Sequence, residues 1–352
     1  NAFYPSLSGI RTKVKSLIQG GCSGGGGGSD AVAPTTSITA PSSASNDFTA
    51  TFTDADNIGV TGRFYQVLEN LSGQTRANRG NGFFNDNFGA GSLHSDYTVG
   101  AGSWSVNGSK RLQQSSTGSS NTSLSTFLAQ TNGRSYLYNF AAKSNSTTGN
   151  RRFGLHIMAS SNTQSNRGNS YLIWFQGDNG KVTIFESANN TLTAKASANI
   201  TVGNSWADYK ISYSTTSGKI EVFRNNNLLV QWTDSSPLTS GSHISFRTNQ
   251  ANVEFDDLKV YKSRSTGATI SVGNSNAKDL RTTLAPTGQI KSIVRDAAGN
   301  WSNVANANVT ISGGGSEITD IVGNWAENEI RYMLKNNYMS GYSDNTFRPN
   351  NQ

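Results

Sequence analysis

The stretch Val253-Glu254-Phe255-Asp256-Asp257-Leu258-Lys259-Val260 decides how the chain is read. It interleaves apolar and charged residues, the pattern of a strand with one face in a core and one in water. It is also the last of a series. Strands are predicted at Trp104–Val106, Arg111–Gln114, Tyr136–Ala142, Arg152–Met158, Ser170–Gln176, Lys181–Glu186, Trp206–Tyr213, Lys219–Arg224, Leu228–Thr233 and His243–Arg247, and the closing one runs on to Tyr261. Short strands at a spacing of about ten residues predict an antiparallel sandwich of two sheets.

A smaller set of strands flanks this series. Thr36–Thr39, Phe48–Phe52 and Arg63–Leu68 precede it, and Thr269–Val272, Gln289–Val294 and Val304–Ile311 follow it. Thr53 to Asn57 and Asp296 to Asn300 read as turns, with Asp54 and Asp56 building the first. Three strands alone bury too little to stand. The two partial sets therefore read as one domain, residues 34–83 plus 266–312, interrupted by an insertion of residues 84–263. Such insertions are tolerated at exposed loops when the ends of the guest lie close together.

Asp86-Asn87-Phe88, Gly102-Ser103-Trp104-Ser105-Val106, Gly154-Leu155-His156-Ile157, Asn169-Ser170-Tyr171 and the Val253 stretch resemble the concanavalin-like jelly rolls of laminin-G and glucanase-type modules. The resemblance implies that the first and last strands of 84–263 pair. It also implies a structural calcium ion, for which Asp86, Asp256 and Asp257 are the candidate ligands; the alternative is that these carboxylates accept turn amides. Val294-Arg295-Asp296-Ala297-Ala298-Gly299-Asn300-Trp301-Ser302 resembles the end of bacterial Ig-like domains. The expected fold class is all-β: an Ig-like sandwich interrupted by a larger jelly roll, with short helical segments at both ends.

At the amino end, Ile10, Val14, Leu17 and Ile18 predict an amphipathic helix within residues 1–20, followed by a Gly-rich linker over 21–33. A second short linker, 313–316, leads to residues 317–352. There Ala326, Ile330, Met333 and Leu334 recur at helical spacing, Asn324 can cap the helix, and Phe347 can fold back onto it after a turn at 341–345. Asp320, Trp325, Gly341, Asp344, Phe347 and Pro349 stand in the order of an S-layer homology module, which this segment resembles. It reads as a partial module, because Gln352 falls before the family's Thr-Arg-Ala-Glu motif. The resemblance implies attachment to cell-wall polymers and an extracellular, cell-surface location.

Composition narrows the function classes. Of 352 residues only 14% are charged, and the single cysteine, Cys22, excludes an intrachain disulfide. The net charge of +7 is scattered, with small groups at Arg11 to Lys15 and Arg151-Arg152, so no nucleic-acid groove is expected. That charge either favours anionic wall polymers or is a solvated surface. No stretch approaches the roughly 20 apolar residues of a membrane span.

Catalytic patterns are missing from the sequence. His94, His156 and His243 lack metal-ligand spacing, and Glu186, Glu221 and Glu254 are isolated on separate strands, without the paired carboxylates of a glycosidase. Binding is the better expectation. Tyr171-Leu172-Ile173-Trp174-Phe175-Gln176 is rich in the aromatic rings that stack on sugars. Trp174, Tyr171, Arg151, Arg167, Asn169, Trp232 and Arg247 are the candidate carbohydrate ligands. Alternation puts Tyr171, Ile173 and Phe175 on one face and Leu172, Trp174 and Gln176 on the other, and one of those faces is core. The sequence thus points to a non-catalytic bacterial surface protein whose jelly roll binds carbohydrate or another surface. Two alternatives stand beside it: a self-associating subunit of a surface layer or filament, and the accessory carboxyl-terminal region of a polysaccharide-acting enzyme.

Overall fold

Strand Val253–Ser263 lies in the middle of the largest sheet of the computed structural model, which describes residues 30–71, 74–273, 277–280, 287–311, 318–321, 324–335, 338–342 and 346–350. The amphipathic segment 1–20, residues 21–29 of the first linker with Cys22, the 313–316 linker and Asp344 lie outside the described residues. Among the described residues the protein is all-β apart from short helical turns and one helix, Glu327–Lys335.

The large sheet runs Asn227–Thr233, Lys219–Arg224, Ala207–Ser214, Ser135–Ser144, Val253–Ser263, Val60–Leu71, Thr287–Asp296, Ala305–Ile311 and Ser43–Ala44. A seven-stranded antiparallel sheet faces its first half, in the order Thr191–Asn199, Lys181–Ala188, Ser170–Gln176, Arg152–Ala159, Gly241–Asn249, Thr122–Gln130 and Tyr97–Ala101. Phe84–Asp86 pairs with Leu258–Val260, so the first strand of this two-sheet body lies against its last.

Two consecutive aspartates break the alternation of Val253–Val260. Val253 and Phe255 point into the core, and so do Leu258 and Val260, which strict period two would send outward. The phase is reset by a bulge: Asp257 adopts a left-handed φ of 54° and the register against Ser135–Ser144 slips between Asn139 and Ala141. One extra residue keeps both halves of the strand on the core.

That core is aromatic. Phe140, Phe153, Phe175, Tyr209, Phe246 and Phe255 form one connected set of rings, with centroids 4.3 Å apart for Phe246 and Phe255 and 4.5 Å for Phe175 and Tyr209. A second, smaller core joins Ala50, Phe52, Tyr65, Val67 and Phe83 to Ile270, Ile290, Val309 and Ile311. The three-stranded sheet Thr35–Thr39, Phe48–Ala55 and Gly267–Ile270 closes over it. The large sheet passes from one body to the other where Lys262 and Ser263 pair with Tyr65 and Phe64.

Two local expectations are corrected. Asp54 does not build a turn: it ends a strand and is buried in an ion pair with Arg264 and Arg63. Strands Tyr97–Ala101, Thr122–Gln130 and Thr191–Asn199 were not predicted. Thr122–Gln130 is mostly Ser, Thr and Gln, which are buried here and hydrogen-bonded to strand Gly241–Asn249 through Ser125–Ser245 and Thr122–Thr248. Thr191–Asn199 is an edge strand of small residues with little apolar signal.

Candidate functional site: the outer face of the seven-stranded sheet

Pairing register fixes which side chains share the face turned away from the core. Leu155, Ile157, Tyr171, Ile173, Phe175, Ile244 and Phe246 line the core. Their alternates form rows across the outer face. One row is Ser123, Arg247, Gly154, Trp174 and Thr183; the next is Ser125, Ser245, His156, Leu172 and Phe185. Phe127 and His243 extend the surface on a third row, in edge-to-face contact at 6.2 Å, and Phe127 is exposed.

Glycine is required at Gly154. A Cβ there would lie 2.0 Å from the Ile173 carbonyl oxygen and 3.0 Å from the Trp174 ring. The bare backbone lets Trp174 and Arg247, on either side of it, approach across the strand, with the guanidinium 5.8 Å from the ring centroid.

Loop 160–169 crosses this face. Arg167 and Gly168 are both left-handed, with φ of 65° and 66°, which turns the chain back into strand Ser170–Gln176. Arg167 Nε donates to Ser245 Oγ at 3.0 Å, and its Nη1 donates to the carbonyls of Asn162 and Gln164. Arg247 Nη1 donates to Asn166 Oδ1 at 2.8 Å. The side chains of Asn166 and Asn169 tie the loop to Asn190 and Asn189.

The candidate ligands therefore separate. Trp174, Arg167 and Arg247 meet on the outer face, where all three are buried, and Asn169 lies in the loop above it. Arg151 sits at the start of the neighbouring strand, donating to the Gly177 carbonyl. Tyr171 is elsewhere: it is buried between the sheets, its hydroxyl donating to Asp234 Oδ2 at 2.6 Å and accepting from the Leu238 amide. Burial pushes its phenol well above the usual range, so it stays a neutral packing group. Trp232 lies on the edge strand of the opposite sheet, edge-on to Tyr171, with the Lys195 ammonium over its ring. The sequence reading overlooked His156, Asn166, Ser245 and Phe127. The only signal for them was the alternation of each strand, which needs the core face to be known first.

The carboxylates nominated for calcium are already engaged. Asp86 accepts the Phe88 amide and the Tyr97 hydroxyl, Asp256 pairs with Arg111, and Asp257 pairs with Lys259. The structure gathers a different trio, Asp30, Asp56 and Asp296, whose oxygens lie within 4.8 Å of one another. One oxygen of each accepts turn amides: Val32 on Asp30, Ile58 and Gly59 on Asp56, Gly299 and Asn300 on Asp296. Asp30 Oδ2 and Asp56 Oδ1 are buried without a partner among the described residues. Oxygen donors of this kind suit a hard divalent cation.

The carboxyl-terminal segment is held by Asp320, whose carboxylate accepts the amides of Phe347 at 2.9 Å and Arg348 at 2.7 Å. Asn324 Oδ1 accepts the Ala326 amide just before helix Glu327–Lys335. Gly341 packs against Ile318 and the Thr346 carbonyl, leaving no room for a Cβ. Phe347 and Pro349 line a cleft with Ile330 and Met333, and Trp325 at its rim is 92% exposed. Residues 317–352 match the S-layer homology domain. The S-layer homology match covers only this end of the chain.

No curated protein matches the sequence. Among solved structures, the carbohydrate-binding module CBM66 from Bacillus subtilis is 15% identical with a TM-score of 0.40, covering 46% of this chain and 93% of its own. The Bacillus licheniformis β-glucanase is 14% identical with a TM-score of 0.38, covering 52% and 99%. The carbohydrate recognition domain of Emp47p is 12% identical with a TM-score of 0.39, covering 53% and 96%. No helix among the described residues is long and apolar enough to cross a membrane.

Proposed function

We propose that this is a non-catalytic bacterial surface protein whose seven-stranded sheet binds carbohydrate on its outer face, while the S-layer homology segment associates with the cell wall. The observation that carries the reading is the exposed ring of Phe127, edge-on to His243 on the outer face of the sheet; the indole and guanidinium of the Trp174 row are themselves buried. Rings stack on the C–H faces of sugars, and forked donors and amides take the hydroxyls. A non-catalytic role is supported by the ion pairs of Glu186 with Lys195, Glu221 with Arg295 and Lys219, and Glu254 with Lys143. The continuous sheet and paired first and last strands support an inserted jelly roll, residues 84–263, carried by the smaller sandwich.

The reading is tested with the intact chain on a glycan array and by sedimentation with isolated cell walls. Phe127→Ala is expected to lose about tenfold or more in array binding, from lost stacking, while still sedimenting with walls. Unchanged array binding would move the site off this face.

The structural calcium belongs, in this reading, to Asp30, Asp56 and Asp296. Calcium is expected to raise the melting temperature, and Asp56→Asn to abolish that rise. A melting curve indifferent to both calcium and chelator would remove the ion from the account.

A further inference from the structure

A cleft opens where the two bodies join, on the side of the large sheet turned away from the jelly-roll core. Its volume is about 400 Å3, within the roughly 300–1,000 Å3 of small-molecule sites. The jelly roll supplies Ser135, Ser212, Ser214 and Lys219, the smaller body supplies Arg63, and Ser263 stands at the crossing. Pairing register brings them together: Ser135 lies opposite Ser214, Ser212 opposite Glu221, and Ser263 opposite Phe64. Ile211 and Tyr213 point into the core, so Ser212 and Ser214 point out. These groups are open to solvent: the four serines are part-exposed, and the side chains of Arg63 and Lys219 are 33% and 43% exposed.

Charge and hydrogen bonding in the cleft are one-sided. Four cations in its wall share two carboxylates, Arg63 and Arg264 meeting Asp54, Lys219 and Arg295 meeting Glu221. Arg264 is fully buried and contributes charge, not contact. Both oxygens of Glu221 accept from Arg295, at 3.0 and 3.2 Å, and one of them also meets Lys219. Arg63 spends its Nε on Asp54 and keeps its terminal nitrogens. The hydroxyls of Ser263 and Ser214 accept the amides of Ser135 and Ser217, which leaves each its proton to donate. Ser212 Oγ holds no hydrogen bond among the described residues. Donors therefore crowd a cleft whose carboxylate is already bound, around an excess of positive charge. A negatively charged acceptor satisfies such a set, and guanidinium, ammonium and hydroxyl donors together suit an oxyanion.

We propose that this junction cleft binds an oxyanion group, the phosphate, sulfate or carboxylate of a small ligand or glycan, held between Arg63 and Lys219 with Ser212 and Ser214 donating to it. The site lies on the other sheet from the carbohydrate face and stands independently of that reading.

The test is calorimetric titration of the intact chain, at constant ionic strength, with inorganic phosphate, inorganic sulfate, acetate, glucose 6-phosphate, glucuronate and the neutral control glucose. At least one oxyanion is expected to saturate, to raise the melting temperature, and to bind about tenfold or more tightly than glucose. Lys219→Gln is expected to weaken that binding about three- to tenfold, and Ser212→Asp, which sets a carboxylate in the cleft, to abolish it. Both positions are part-exposed, and melting curves confirm that the variants fold; should one fail, the other carries the test. Tighter binding of the sugar-borne anions assigns the site to an anionic glycan, and equal affinity for the free ions assigns it to the ion itself; either supports the proposal. Heat that does not saturate at fixed ionic strength, equal affinity for glucose, or an affinity unmoved in a folded variant overturns it. Phe127→Ala is expected to leave oxyanion binding unchanged, so failure here and failure of the carbohydrate face are read separately.

Discussion

Replacing Phe255 by alanine is expected to cost about 3–5 kcal/mol of unfolding free energy. Phe255 is fully buried and its ring meets Trp104, Phe140, Phe153 and Phe246, with centroids between 4.3 and 6.3 Å away. These neighbours come from both sheets, so truncation opens a cavity that no single strand can collapse to fill. The bulge just beyond it, at Asp257, pins the register and prevents the strand from sliding to bring Leu258 into the gap. Urea denaturation followed by tryptophan fluorescence reads the effect. A loss below about 1 kcal/mol would mean that the ring set relaxes around the hole, against the close packing described here.

Arg264→Ala is expected to cost a similar amount, about 3–5 kcal/mol, in the smaller body. The arginine side chain has 0% exposure and Asp54 4%, and the two meet through both guanidinium nitrogens, at 2.7 and 3.0 Å. The Arg264 guanidinium also lies 4.0 Å from the Phe52 ring centroid and donates to Ser292 Oγ. Removing it leaves the buried carboxylate to Thr36 and the partly exposed Arg63. The pair sits where the chain leaves strand Val253–Ser263, so it clamps the crossing between the two bodies. Burial alone would raise the Asp54 carboxyl, but Arg264, Thr36 and Arg63 hold it below its ordinary value. A carboxyl with a lowered folded pKa stabilises above its unfolded value, about pH 4, and loses that contribution as pH falls through the folded value. Acid titration of stability should therefore be shallower in Asp54→Asn than in the parent chain over that range. Equal acid slopes would show that the pair contributes nothing to the pH dependence.

The legible parts of the sequence were those with a local cause. Strands Trp104–Val106, Ser170–Gln176 and Lys219–Arg224 were read to the residue because apolar alternation and flanking turn residues bound them on both sides. Asn324 was recognised as a cap and Phe347 as folding back, because both act within one helix and one turn. Strands Thr122–Gln130 and Thr191–Asn199 were not legible. Their Ser, Thr and Ala residues become strand only through partners far away in the chain.

The candidate site shows the same division more sharply. The sequence offered Trp174, Arg167 and Arg247 as chemistry without an address, together with Tyr171 and Trp232, which the fold places elsewhere. Every residue of Ser170–Gln176 is buried, and which of its faces lines the main core depends on the sheet that packs against it, built from Ser135–Ser144, Ala207–Ser214, Lys219–Arg224, Asn227–Thr233 and Val253–Ser263. The same holds for Asp30, Asp56 and Asp296, which lie in three separate segments and meet only through the second body's turns. By itself, then, the sequence determined the all-β class, most strand positions and the S-layer homology end, because period, turn chemistry and motif order are short-range. Only the tertiary structure decided which face of each strand meets the core, which aromatic ring stays exposed and which carboxylates meet, because each follows from long-range sheet pairing and from which groups lose their water.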